Sequence, residues 1–197
     1  MSMSNQMPRG SQTFVFLGVS GSGKGTQTAR LLKALPRGVN LSTGRVFRRF
    51  ARKPSVVGRF VERVIERGGI MPYWGPAYVW LNAFFERLRG DEHLIFDGAP
   101  RLVKEARMMD DFMRDVGRPL PMAIYLVLHE SEAMRRLLAR GRKDDTPSAI
   151  HRRFVWFRKH VRPVIAYYRR RHRLMTINGD QPVVAVWRDI RRALELP

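Results

Sequence analysis

The chain has 197 residues, 44% of them hydrophobic, enough to bury the core of one rather large domain. With no cysteine it can hold neither a disulfide nor a cysteine-based zinc site, and its five histidines show no metal-ligand spacing. The formal net charge is +20, from 37 basic residues of which six are lysine and the rest arginine, against 17 acidic ones.

Residues 1–11 are polar and lack the apolar stretch of a secretory signal, and no apolar run is long enough to span a bilayer. A disordered tail over 1–11 and a cytoplasmic location without membrane contact are therefore expected. Thr13–Leu17 (TFVFL) reads as a short buried strand, and Thr26–Leu35 as an amphipathic helix. The turn between them, GVSGSGKG, is dense in glycine. A strand running through glycines into a helix start aims several N–H groups and a positive dipole end at one point, where phosphate fits. Gly18, Gly21 and Gly23 let the backbone wrap closely, and Lys24 can reach the β- and γ-phosphates. The strict phosphate-loop pattern has Ser or Thr directly after the lysine. Here Gly25 stands there, and Thr26 comes next.

Val39–Ser42 reads as a strand, and Thr43–Ala51, Val56–Gly68 and Trp74–Leu88 as helices. His93–Asp97 is a buried strand ending in a carboxylate, Lys104–Asp115 a helix, Ala123–Leu128 a strand and Ser131–Arg140 a helix. Ile150–Arg171 reads as one long helix, Leu174–Asn178 as a last strand and Val183–Leu194 as the closing helix. Repeated βα units of this kind imply an α/β fold. Its five-stranded parallel sheet is covered by helices on both faces, with ligands at the carboxyl ends of the strands. The arginines of Arg169–Arg173 read as a cap on the long helix's C-terminus, where cations are favoured.

Asp97 ends its strand where a phosphate-loop NTPase holds its Mg²⁺-side carboxylate, a role it would fill largely through water, with Thr26 as the hydroxyl partner. Arg101 lies four residues later, placed for an anionic substrate. Arg136, Arg140, Arg142 and the acids Asp144 and Asp145 form a further cluster, in which the acids can hold guanidinium groups in place. Arginine suits phosphate because its planar fork binds bidentately and stays charged. Two phosphate substrates cannot occupy some thirty arginines, however, so most must be surface. A secondary RNA or other anionic partner stays open, although no RNA-reading module is evident.

Taken together, these motifs resemble the adenylate kinases and their uridylate/cytidylate kinase relatives, the nucleoside monophosphate kinases. The similarity runs from Phe14 almost to the C-terminus. The loop GVSGSGKGTQ resembles theirs, including the Gly-Thr after the lysine. LSTGRVFR (Leu41–Arg48) resembles LSTGDxLR, FDGAPR (Phe96–Arg101) resembles FDGFPR, and GRKDD with Arg153 resembles the family's late arginines. INGDQPV (Ile177–Val183) resembles the loop over the donor adenine.

The resemblance implies a phosphate-loop NTPase fold over 12–197 as one domain, with a helical monophosphate-binding segment (43–72) and a minimal lid (136–145). It implies ATP on Gly21, Ser22, Gly23, Lys24, Gly25, Thr26 and Gln181, and a monophosphate on Thr43, Arg48, Met71, Gly98, Arg101 and Glu105. Lys24, Arg101, Arg136, Arg140, Arg142 and Arg153 would act on the transferring phosphoryl group, with Mg²⁺ as the cofactor, no zinc, and a monomeric enzyme.

The sequence also departs from the family pattern. Arg45 replaces an aspartate, Ala99 replaces a phenylalanine, the long lid is absent, and Glu105 stands where adenylate kinases carry the adenine-reading glutamine. An ionised glutamate offers only acceptors, which suits guanine's N1–H and amino group better than adenine. AMP by resemblance, and GMP or CMP by Glu105, thus remain open, as does a Glu105 that faces solvent or pairs with an arginine. Two other readings of the same fold are a nucleotide-binding factor associated with RNA or the ribosome, and a kinase for another small acceptor such as shikimate or a nucleoside.

Overall fold

The structure is a computed structural model and describes residues 10–196, so most of the tail expected over 1–11 lies outside the described residues. Five strands form one sheet: β1 (Thr13–Leu17), β2 (Gly38–Ser42), β3 (His93–Asp97), β4 (Met122–Val127) and β5 (Leu174–Asn178). Their order is β2-β3-β1-β4-β5 and every pairing is parallel. The expected α/β sheet is thus present, with β1 at its centre.

Alternation along β1 explains the layering, because successive side chains leave a strand on opposite faces. Phe14 and Phe16 pack in a cluster with Leu31 of helix α1 (Lys24–Ala34) and Ile190 of α9 (Val183–Ala193). Val15 and Leu17 join the opposite cluster. There they share a core with Trp80 of α4 (Trp74–Glu86), Met109 of α5 (Val103–Asp115) and Val164 of α8 (Arg162–Arg169). Parallel register sets Phe16 beside Asp97, which brings the loop after β1 and the carboxyl end of β3 to the same edge.

The segment between β2 and α4 has its own small core. Phe47 of α2 (Thr43–Phe50), Val61 of α3 (Val56–Glu66), Met71 and Val79 pack together apart from the two sheet-facing clusters. Ser55 caps α3 by accepting the Gly58 N–H at 3.0 Å.

The single long helix expected over Ile150–Arg171 is instead α7 (Pro147–Trp156), a π turn (Phe157–Val161) and α8. Pro163 accounts for the break. It has no N–H to give, and its ring would strike the carbonyl four residues back, so the backbone widens before it. Thr146 starts α7 by accepting the Ala149 N–H. The arginine cluster also differs from expectation. Arg171 does donate to the Tyr167 carbonyl at 3.4 Å, near the end of α8. Arg173 instead lies past the helix and pairs with the fully buried Asp110 of α5, which also accepts from the Tyr167 hydroxyl at 2.7 Å.

Candidate active site

A cleft of about 760 Å³ opens at the carboxyl ends of β1 and β3, and residues of the segment between β2 and α4, among them Phe47, Arg48 and Met71, line another part of it. The loop after β1 forms its floor. Lys24 folds across that loop, its ammonium donating to the carbonyls of Gly18 and Val19 at 2.8 Å each. Enclosure lowers its pKa to about 8 against the pull of Asp97, with Arg101 and Arg140 adding repulsion. Gly21, Gly23, Gly25 and Thr26 line the same floor. Ser22 is buried beneath it, its hydroxyl 3.5 Å from the Lys24 ammonium.

Asp97 lines the cleft at the end of β3, and the Ser42 hydroxyl donates to its carboxylate at 3.4 Å. Gly98 comes next, with φ at +92°. A side chain there would meet the Thr43 hydroxyl at 2.8 Å and the Arg101 guanidinium at 3.4 Å, so only glycine lets β3 turn beside α2. Arg101 Nε donates to the Gly98 carbonyl at 2.9 Å, which fixes the fork toward the cleft. Thr43 is buried against the Asp97 carbonyl and supports this wall from behind.

Glu105 is buried, and one of its oxygens accepts the Arg101 backbone N–H at 2.8 Å. The solvent-facing alternative is therefore incorrect. The other oxygen, Oε1, has no partner. Burial raises the carboxyl pKa to about 7, opposed by the Arg101 N–H and the Arg101 charge. Glu105 does not line the cleft; it lies in the first turn of α5 with its carboxylate on the Arg101 N–H.

Arg48 and Met71, from the segment between β2 and α4, also line the cleft. The pKa of Arg48 is lowered first by burial and then by repulsion from Arg142, which lines the same cleft. On the opposite side stand Arg140, Arg142 and Arg153. Arg140 binds Asp145 through two bonds of 2.9 and 2.8 Å, and Arg153 reaches Asp145 at 2.9 Å and Asp144 at 2.6 Å. Asp145 is thereby shared by two guanidinium groups.

Arg136, on α6 (Glu130–Arg140), also lines the cleft, but its bonds go elsewhere: to Glu132 at 2.7 Å and to the Gly179 carbonyl at 3.0 Å. It joins α6 to the loop after β5. Gln181 in that loop borders the cleft while its amide donates to the Asn178 carbonyl and to Asp189. Sequence reasoning missed Glu132, which orients Arg136, and Gln27, whose amide donates to the Val183 carbonyl at 3.0 Å and ties α1 to this loop. The Glu-x-x-x-Arg spacing from Glu132 to Arg136 was the available signal. Gln27 gave none. It also missed the cleft wall formed by Trp156 and Phe157, because the π turn that presents them is not a feature of helical periodicity.

Lys24 and six arginines surround one cleft, with a glycine loop at its floor and the carboxyl ends of a parallel sheet beneath. Such a site defines a phosphate-loop phosphotransferase. The adenylate kinase family model matches residues 16–173. An adenylate kinase from Azobacteroides pseudotrichonymphae is 32% identical over 88% of this chain and 92% of its own length. One from Thermus thermophilus is 32% identical over 93% and 97%, and an adenylate kinase 2 from Nostoc is 33% identical over 91% and 97%. The chain belongs to the adenylate kinase family and is an ATP:nucleoside monophosphate phosphotransferase. The competing reading as an RNA- or ribosome-associated factor finds no support among these relatives.

Among the described residues no group of three or more His, Asp or Glu side chains could hold a metal ion by itself. Nor is any described helix long and apolar enough to cross a membrane.

Proposed function

We propose that the chain transfers the γ-phosphoryl group of ATP to AMP, with Glu105 presenting a neutral carboxyl to the adenine edge. The carrying observation is the geometry of Glu105: fully buried, one oxygen bound by the Arg101 N–H and the other without a partner. With its pKa raised to about 7, the side chain is largely protonated below neutrality. A neutral carboxyl has one O–H donor and keeps acceptor capacity, the same pair a glutamine offers to adenine N1 and its amino group. The base must displace the cover over Glu105 to reach it. The relatives described above are named adenylate kinases, which supports the same acceptor.

In this reading Lys24 and the loop amides hold the donor β- and γ-phosphates, and Arg48 and Arg101 hold the acceptor phosphate. Arg140, Arg142 and Arg153 neutralise charge on the group in transit, with Asp144 and Asp145 keeping two of these forks aimed. Arg136 closes the donor side by holding the loop that carries Gln181. The acceptor phosphate is already ionised and is itself the nucleophile, so no general base is required. Catalysis then rests on holding two anions in line and excluding water. Asp97, with the hydroxyls of Ser42 and Thr26 nearby in the fold, suits Mg²⁺, a hard cation that takes few protein oxygens and keeps several waters. When bound with ATP it would neutralise phosphate charge.

A second reading takes GMP as acceptor when Glu105 is ionised, because a carboxylate pairs with guanine's N1–H and amino group. A product assay with ATP and AMP, GMP, CMP or UMP at pH 6 and pH 8 tests both. Preference for AMP that weakens as pH rises through about 7 is the expected result. Preference for GMP at both pH values would overturn the AMP assignment.

A further inference from the structure

The end of α3 is closed by its own backbone: the Gly68 N–H bonds to the Ile65 carbonyl and the Gly69 N–H to the Val64 carbonyl, each at 2.9 Å. This is the glycine-terminated motif that serves two of a helix's last carbonyls and leaves the final ones free. One of those, the carbonyl of Arg67, accepts from Arg152 Nε at 2.6 Å, across 85 positions of sequence. A guanidinium at the negative end of a helix dipole is favourably placed. Beside it, Gly68 has φ at +63°, and a Cβ there would stand 2.6 Å from the Ala149 carbonyl oxygen. The two elements therefore meet backbone to backbone, in a gap that only glycine fits.

The chain from this contact onward belongs to the cleft, since Gly68, Gly69, Ile70 and Met71 all line it. On the other element the next residue, Arg153, holds Asp144 and Asp145 and also lines the cleft. Consecutive arginines on one turn of α7 thus grip the acceptor-side segment and the lid acids. Arg152 is itself exposed and does not line the cleft, so it touches neither substrate. Water competes for such a bond, which makes it weak enough to open and reform.

We propose that Arg152 is a positioning residue that docks segment 43–72 onto α7, so that the acceptor site and the Arg140–Arg153 clamp assemble as one unit. The proposal rests on the reading of that segment as the acceptor site. The undocked segment binds acceptor poorly, so the apparent acceptor affinity is scaled by the docked fraction.

Steady-state kinetics on the full chain with ATP and AMP, paired with amide hydrogen exchange, tests this for Arg152→Ala, Arg152→Lys and Gly68→Ala. Arg152→Ala is expected to raise the AMP KM about two- to fivefold, the scale of an exposed charged contact that water weakens, and to leave the ATP KM unchanged. Exchange should quicken at 64–71 and stay constant in β1 and β3. Arg152→Lys should restore part of the affinity, because an ammonium can donate to the same carbonyl. Gly68→Ala should raise the AMP KM as well, since its Cβ would push the segment off Ala149. An AMP KM unaltered by Arg152→Ala overturns the proposal, and so does a parallel rise in both KM values with a falling thermal midpoint. A wild-type chain that phosphorylates no monophosphate would overturn the acceptor reading itself, which separates the two failures.

Discussion

Enclosure shifts Lys24 and Glu105 toward their neutral forms, Lys24 by losing a proton more easily and Glu105 by keeping one. A polyphosphate in the loop would favour the ammonium, so donor binding near pH 8 and above should take up a proton. Calorimetric titration of ATP in buffers of different ionisation enthalpy reads this directly. Replacing Lys24 by Met, or Arg101 by Ala, is expected to lower kcat/KM at least 100-fold, about 2.7–4 kcal/mol of transition-state stabilisation. For Glu105 the folded pKa of about 7 lies above the ordinary 4.5, so the folded state holds the extra proton. That contribution is complete below pH 4.5 and is lost as pH rises through about 7. Glu105→Gln cannot ionise. Its stability relative to the parent should rise by up to about 3 kcal/mol between pH 5 and pH 8, measured by chemical denaturation at each pH.

Polar links between elements add to the hydrophobic layering. Asp110 on α5 receives both Arg173, from the turn before β5, and the hydroxyl of Tyr167 on α8. Arg173 also donates to the Pro121 carbonyl at 3.1 Å, so one guanidinium holds α5, α8 and the start of β4 in register. Removing it leaves a buried carboxylate without its counter-charge. Arg173→Met is expected to cost about 3–5 kcal/mol in denaturant unfolding, with activity per folded molecule little altered because the site lies elsewhere. The break between α7 and α8 is another feature set at this scale. Pro163 is plain in the sequence, but the widening it forces and the presentation of Trp156 and Phe157 to the cleft depend on what packs around the turn.

Across the whole molecule the formal charge of +20 exceeds what the cleft uses. Its field attracts anionic nucleotides, so kcat/KM should fall as ionic strength rises from low to physiological values, with kcat nearly constant. Rates at saturating and limiting AMP over a salt series check this.

Strand and helix order was legible because apolar alternation and glycine punctuation are local signals, and boundaries such as Thr13–Leu17 and His93–Asp97 agree with the structure. The loop chemistry of Lys24, with Gly-Thr after it, was equally local. The role of Glu105 was not, because solvent exposure, arginine pairing and base reading predict the same residue. Only the fold shows it buried with one oxygen on the Arg101 N–H. Nor did sequence spacing show that Arg136 would bond Gly179, that Arg173 would leave its helix for Asp110, or that Arg152 would meet the end of α3. By itself the sequence determined the phosphate loop, the α/β order and the positions of the cations, since these stem from short-range pattern and residue chemistry. Tertiary structure alone decided which cations point into the cleft, which are spent on carboxylates and carbonyls, and which carboxyl is pushed toward its neutral form, since those outcomes depend on burial and on partners distant in the chain.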